Sequence, residues 1–259
     1  MAGESAPTLS VVIPAYNEEQ RLPLTIEQIE RYLDGRHLDY ELIIVDDGST
    51  DGTRQVMDAA AARNSKVRLA ALPANRGKGR ALACGVAVAR GKEVLVTDAD
   101  LSTPIEELDK LDAALQAGAG VAIASRAVKG SRVEVAQPIY RVLMGKVFNL
   151  IVQAVLLPGI WDTQCGFKLF RADVAQPVFA ALTTDGFGYD PEVLYLAKRR
   201  GVRIAEVPVV WRHSAPTKVL PIRSSIDMFK HVVRVRFKRR AWGRAGGMRR
   251  DLALPGRMP

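Results

Sequence analysis

The stretch Glu93-Val94-Leu95-Val96-Thr97-Asp98-Ala99-Asp100 decides the fold. An apolar run of strand length ends in two carboxylates one residue apart, and Leu101-Ser102-Thr103-Pro104 then leads into a helical pattern. Open α/β sheets bind ligands outside the carboxyl ends of their strands, so Asp98 and Asp100 can point hard oxygens at one divalent cation. A metal that keeps waters and bridges phosphate oxygens suits such a pair. The same residues also suit a cap on a helix beginning near Pro104, because Asp is favoured before a helix and Pro in its first turn.

Outward from this stretch the chain alternates strands and helices. Leu9 to Ile13 reads as a buried strand stopped by Pro14, after which Ala15-Tyr16-Asn17-Glu18-Glu19 turns into a helix to about Leu33. Tyr40 to Val45 is a second strand, followed by the turn chemistry of Asp46 to Thr53 and a helix to about Arg63. Val67 to Leu72, Glu93 to Thr97 and Gly120 to Ala124 complete the strand pattern, with helices between them. This describes an α/β fold, a mostly parallel sheet covered by helices on both faces, with its site along one edge.

At 259 residues the chain can build one large domain or one domain with an appendage. It opens on small polar residues without the basic and apolar regions that direct export, and Cys84 and Cys165 imply no disulfide framework, so a reducing cytoplasm is expected. The formal charge of +9 asks for an anionic partner. Much of it lies in a basic run from Lys230 to Arg250, interleaved at its start with Phe229, Val232, Val233, Val235 and Phe237. Clustered Lys and Arg also suit a nucleic acid, but acids gathered at a strand edge would repel a polynucleotide, and no nucleic-acid partner is expected.

Three loops on the sheet edge offer separate functions. Asp46 and Asp47 can accept from a base N–H or a ribose hydroxyl. Asn75-Arg76-Gly77-Lys78-Gly79 pairs glycines and cations at a helix start, where free amides favour phosphate, but lacks the spacing of a Walker-type P-loop. Asp98 and Asp100 supply the metal site. Taken in order, Pro14-Ala15-Tyr16-Asn17-Glu18, Asp46 to Thr53, Asn75 to Gly79 and Asp98-Ala99-Asp100 resemble the family 2 glycosyltransferases of the GT-A (Rossmann-like) fold. Ser125-Arg126, Asp162-Thr163-Gln164-Cys165-Gly166-Phe167-Lys168-Leu169-Phe170 and Tyr189-Asp190-Pro191-Glu192 resemble the branch that makes dolichyl- or polyprenyl-phosphate sugars, especially the dolichyl-phosphate glucosyltransferases.

The resemblance implies a GT-A domain over residues 8–220, with a nucleotide-sugar half at 8–124 and an acceptor half at 125–220. Pro14, Tyr16, Glu18, Asp46 and Asp47 would hold base and ribose, Lys78 and Ala99 would lie near the nucleotide-sugar, and Asp98 and Asp100 would bind Mg2+ or Mn2+. Relatives that transfer mannose often carry Gln where this chain has Ser102. That departure weakens a GDP-mannose donor against UDP-glucose without excluding it. Ser125, Arg126, Arg132, Arg141, Gln164, Lys168, Arg212 and Lys218 are expected around the acceptor phosphate, because arginine forks match phosphate geometry. A solvated basic loop is the alternative for residues 125–141.

Ile139 to Leu157 is nearly all apolar but interrupted by Arg141, Lys146, Asn149 and Gln153, so it is read as an amphipathic helix, either in the membrane interface or buried under the sheet. With a basic C-terminal helix and tail over 221–259, it implies peripheral attachment to an anionic membrane surface, alone or through a membrane partner protein. A phosphate acceptor is already anionic and can attack unaided, whereas a glycan hydroxyl, the rival acceptor, requires a base. Asp190 is the candidate for that base, or for positioning the sugar, and also suits an N-cap before Pro191.

Overall fold

The computed structural model describes residues 6–135, 139–212, 232 and 234–237. A seven-stranded sheet forms its centre, in the order β3-β2-β1-β4-β7-β5-β8. These strands are β1 (Leu9–Ala15), β2 (Tyr40–Asp46), β3 (Val67–Ala71), β4 (Glu93–Val96), β5 (Val121–Ser125), β7 (Lys168–Arg171) and β8 (Ile204–Pro208). A separate parallel pair, β6 (Arg132–Val135) and β9 (Val210–Arg212), stands beside it. The helices are α1 (Leu22–Gly35), α2 (Thr53–Arg63), α3 (Lys78–Val88), α4 (Leu108–Gln116), α5 (Ile139–Val155), α6 (Ala172–Ala180) and α7 (Tyr189–Arg199).

Side chains alternate between the sheet's faces, as the two-residue strand period requires. Val12, Val45, Val94, Val96, Ile123 and Phe170 bury against α3, α5, α6 and α7. Val11, Ile44, Leu95, Ala122 and Leu169 bury against α1, α2 and α4 on the other face. Strands covered on both sides read as continuous apolar runs, which is why the sequence shows them plainly.

Several expectations need correction. β1 does not stop at Pro14 but continues to Ala15, pairing Pro14 with Val45 of β2. β4 pairs with β1 only as far as Val12, so Pro14 has a strand on one side alone and its missing N–H breaks no ladder there. Pro104 precedes a short 3₁₀ turn at Ile105–Glu107 with no side-chain cap, so neither Asp98 nor Asp100 serves as the cap that the sequence also allowed. Residues 125–141 are not wholly a loop, since they hold the exposed strand β6. The antiparallel β7 was missed altogether. It separates β4 from β5 and pairs Lys168 with both Val96 and Ile123.

α5 is buried along one face and exposed along another. Phe148 and Val152 are buried in the core, while Tyr140, Leu143, Val147 and Leu150 leave an apolar stripe exposed. Among the described residues no helix is long and apolar enough to cross a membrane. Of the expected C-terminal helix, Val232 and residues 234–237 are described and helical, and Val232 and Val235 join the core.

At the far edge of the sheet Glu93 is half-buried, and burial, with Asp112 adding to it, pushes its pKa up to about 7 from the ordinary 4.5. An acid raised on folding binds its proton more tightly in the native state, so its contribution is fully present below about pH 4.5 and lost as pH rises through about 7. Glu93→Gln should therefore raise the thermal midpoint at about pH 8 and leave it nearly unchanged near pH 4, as scanning calorimetry at the two pH values would show.

Candidate active site

The edge formed by the first half of the chain is stitched together by its own loops. Asn17, with φ of 54°, accepts from the Thr50 amide through Oδ1 at 2.8 Å, and its own amide donates to Ser49 Oγ at 3.0 Å. The Glu18 amide donates to Thr53 Oγ1 at 2.7 Å, and its carboxylate accepts from Arg21 at 2.7 and 2.8 Å. Pro14, one residue before the end of β1, lies beside this knot, and Tyr16 is exposed at its rim. Asp46 accepts the Ser49 amide at 2.9 Å. Asp47 is buried, and its two oxygens accept the amides of Arg76 and Gly77, each at 2.8 Å. Burial raises its pKa, the Asp46 charge adding to the shift against those amides.

Asp47 thereby fixes the loop that carries Lys78. The glycines of that loop have a structural reason. Gly77 has φ of 102°, and a Cβ there would stand 2.7 Å from the Asp185 carbonyl oxygen. A Cβ on Gly79 would meet Thr184 O at 2.5 Å and Tyr189 Cβ at 2.8 Å. The 183–186 segment is itself held by Glu192, whose carboxylate accepts the amides of Thr183 and Thr184, each at 2.9 Å. Glycine here admits a neighbouring backbone, which joins the first half of the chain to the second.

Lys78 Nζ donates to Asp98 Oδ1 at the end of β4. Burial would raise the Asp98 pKa, but Lys78, Lys168 and Arg126 outweigh it and hold the carboxyl below its usual range. Asp100 goes the other way, raised by burial and then by the Asp98 charge. The Ser102 amide donates to Asp100 Oδ1 at 3.0 Å, so the residue that departs from the mannosyl pattern steadies this acid. Leu101, between them, sits at φ of 42°, a conformation that costs a branched side chain energy and turns the chain sharply after Asp100. Ala99 is buried, and its carbonyl accepts from Thr25.

Because β7 runs antiparallel, its first residue arrives at the edge where β4 ends. That residue is Lys168, with no exposed surface, donating to Asp190 and to the Cys165 carbonyl. Asp190 lies in the first turn of α7 rather than at its N-cap, which is Gly188. Tyr189, fully buried, stands between the two lysines, with Lys78 Nζ 5.5 Å and Lys168 Nζ 5.8 Å from its ring centroid. The structure thus unites Lys78, Asp98, Asp100, Lys168 and Asp190.

Arg126 is committed elsewhere. Its Nε and terminal nitrogen fork onto Asp162 at 2.7 and 2.8 Å, its amide donates to the same carboxylate at 2.9 Å, and its guanidinium lies 5.3 Å from the Trp211 ring centroid. Ser125 is also buried, donating to Glu206, which accepts the amides of Trp161 and Asp162. The Gln164 amide joins Asp162 at 3.2 Å. Arg132 and Arg212 lie on the exposed β6–β9 pair, where Arg212 bonds Glu134 at 2.7 Å. The side chain of Arg141 and all of Lys218 lie outside the described residues. Asp162, Tyr189 and Glu206 are not legible as site residues in the sequence: the only signal for the first two is their place inside the quoted motifs, and Glu206 carries none. Glu192, a carboxylate of interest beside Asp190 in the sequence, holds the 183–186 segment instead.

Asp98 and Asp100 fit a hard divalent cation. Among the described residues no group of three or more His, Cys, Asp or Glu could hold an ion, so those residues offer the pair Asp98 and Asp100. A cation that retains waters and takes phosphate oxygens, as Mg2+ and Mn2+ do, suits that donor set. Residues 10–179 match the family model described as glycosyl transferase family 2. The chain belongs to that family.

This glycosyltransferase is similar to a dolichyl-phosphate beta-glucosyltransferase of Dictyostelium discoideum, 36% identical over 89% of this chain and 74% of that one. The human protein of the same name is 35% identical over 90% of this chain and 77% of its own. Among solved structures, glucosyl-3-phosphoglycerate synthase from Mycobacterium tuberculosis, in complex with Mn2+, UDP-glucose and glycerol 3-phosphate, shares the fold. The TM-score is 0.67 at 23% identity, covering 91% of this chain and 80% of that one.

The fork on Asp162 sets a test of what Arg126 does. Arg126→Ala should destabilise the glycosyltransferase by about 3–5 kcal/mol, because it strands a buried carboxylate, and Arg126→Ala with Asp162→Ala should recover part of that loss. Urea unfolding measures both; unchanged stability in the single variant would mean that Arg126 is available to a ligand instead.

Proposed function

We propose that this glycosyltransferase moves glucose from UDP-glucose to the phosphate of a dolichyl or related polyprenyl lipid, with Mg2+ or Mn2+ held by Asp98 and Asp100. The observation that carries this reading is the pairing of Asp190 with Lys168. The candidate base is buried and already shared with an ammonium, so taking a proton from a sugar hydroxyl would strand a buried charge. A phosphate acceptor makes no such demand, since its second pKa is about 6 and its oxygen can attack unaided. The relatives named dolichyl-phosphate beta-glucosyltransferase, 35–36% identical over about nine-tenths of the chain, support the same donor and acceptor.

Each part of the edge then has a task. Pro14, Tyr16, Glu18 and Asp46 border the base and ribose, and Asp47 acts by holding the loop that presents Lys78. Asp98 and Asp100 would hold the cation, which when bound would supply Lewis-acid stabilisation of the departing diphosphate. Lys168 and Asp190 shape the floor beneath the sugar, and the positive charge of Lys78 offsets the repulsion between two anions that must meet. Arg126 positions the Asp162–Gln164 turn rather than gripping phosphate. Attack opposite the leaving group inverts the anomeric centre, so an α-linked donor yields a β-linked lipid phosphate sugar.

The lipid acceptor asks for a membrane surface, and α5 offers one. Leu143 and Leu150 are 62% and 66% exposed on a helix whose opposite face is core. An apolar stripe of this kind, together with the basic run after Phe229, suits peripheral attachment at a cytoplasmic membrane face.

Purified protein incubated with Mg2+ and dolichyl phosphate should carry label from UDP-glucose, and not from GDP-mannose, into the organic phase as a β-linked product. Asp100→Ala should abolish transfer; label from neither donor, with nucleotide release stimulated by a glycan, would redirect the reading to a hydroxyl acceptor. Leu143→Asp with Leu150→Asp should lower co-sedimentation with anionic vesicles several-fold while leaving the unfolding midpoint nearly unchanged, as both side chains are exposed.

A further inference from the structure

We infer that Lys78 is a resident counter-cation of Asp98, which it leaves when a divalent ion and the donor diphosphate arrive. The inference rests on the metal reading of Asp98 and Asp100 given above. It starts from the surroundings of one carboxylate. Oδ1 of Asp98 accepts from the Lys78 ammonium, whose side chain is only 17% exposed. Oδ2 lies so close to the backbone of Gly166 that a Cβ there would collide with it. A cation approaching Asp98 therefore meets a carboxylate walled on one side by Gly166 and already neutralised on the other by Lys78.

The neighbouring cations cannot take over this task. Lys168 is shared between Asp190 and the Cys165 carbonyl with no exposed surface, and Arg126 is forked on Asp162. Lys78 differs in where it stands. It opens α3 directly after Gly77, on the loop that Asp47 holds, so its four-carbon stem can swing while its backbone stays fixed. In the ligand-free protein its ammonium contacts Asp98 directly, offsetting a charge that stands beside a second carboxylate, Asp100. When a divalent ion takes Asp98, the ammonium is repelled from that carboxylate, and the diphosphate offers it two anionic groups instead.

This exchange makes the metal and the nucleotide help one another beyond simple bridging. The metal alone must displace Lys78 with nothing to receive it, so it binds weakly. With the diphosphate present, the displaced ammonium gains a new partner. Linkage then requires each ligand to raise the other's affinity by the same factor.

The test reads binding, not turnover. Mn2+ binding to the whole protein without nucleotide, followed by electron paramagnetic resonance of the free ion, should tighten by about tenfold in Lys78→Met, since the competing charge is gone. Lys78→Gln should show the same gain, and Lys78→Arg should bind Mn2+ no more tightly than the unaltered protein. UDP binding without metal, followed by calorimetry, should weaken in Lys78→Met. In the unaltered protein, saturating Mn2+ together with UDP should change the reactivity of Lys78 towards an acylating reagent, read by mass spectrometry, and Mn2+ alone should increase it.

Mn2+ affinity that is the same or weaker in folded Lys78→Met and Lys78→Gln overturns the inference, as does Lys78 reactivity indifferent to Mn2+. Those results leave the metal reading standing. No Mn2+ binding to any form, with or without UDP, overturns both.

Discussion

A lysine with no exposed surface constrains everything around it. Burying an ammonium is costly unless a carboxylate and further acceptors compensate, and Lys168 finds Asp190 and the Cys165 carbonyl. That requirement ties three elements to one point. β7 must enter the sheet with its first residue at the edge where β4 ends, the 162–167 turn must present its carbonyl, and α7 must bring its first turn into contact. The antiparallel insertion of β7 in an otherwise parallel sheet is what permits this, because a parallel strand would carry its first residue to the opposite edge.

Around this pair the charges alternate. Asp98 faces Lys78, Asp190 faces Lys168 and Asp162 faces Arg126, with the Tyr189 ring between the two lysines. Such a network holds its members in fixed geometry before any ligand arrives, which is how a site stabilises developing charge without reorganising. It also separates partners that a motif reading merges. Lys168 is paired wholly within the protein, Arg126 is forked on Asp162, and Lys78 and Asp100 keep part of their surface exposed.

The glycines of residues 77 and 79 show how a signal can be right in place and incomplete in cause. A basic glycine loop at a helix start suggests a phosphate cradle, and Lys78 does face the site. Yet both glycines are required by the backbone of Thr184 to Gly186 lying against them, a contact between residues about a hundred positions apart. Asp47 is similar, a carboxylate legible as a site residue whose oxygens are spent on the amides of that same loop.

The sequence by itself determined the α/β class, the first strands with their helices, the edge that carries the site and the acids at its centre. These follow from signals local in the chain: apolar runs buried on both faces, turn residues at their ends and motifs in a recognisable order. It did not reveal β6, β7, β8 or β9, since strands of only three to five residues bearing Arg132, Lys168, Glu206 or Arg212 lack an apolar pattern to read. Nor could it say which ions pair, because Lys78 and Asp98, Lys168 and Asp190, and Arg126 and Asp162 are each separated by twenty residues or more. Only the tertiary structure decided those partners, for burial forces each charge to find a counter-charge and the sheet order fixes which ones are within reach.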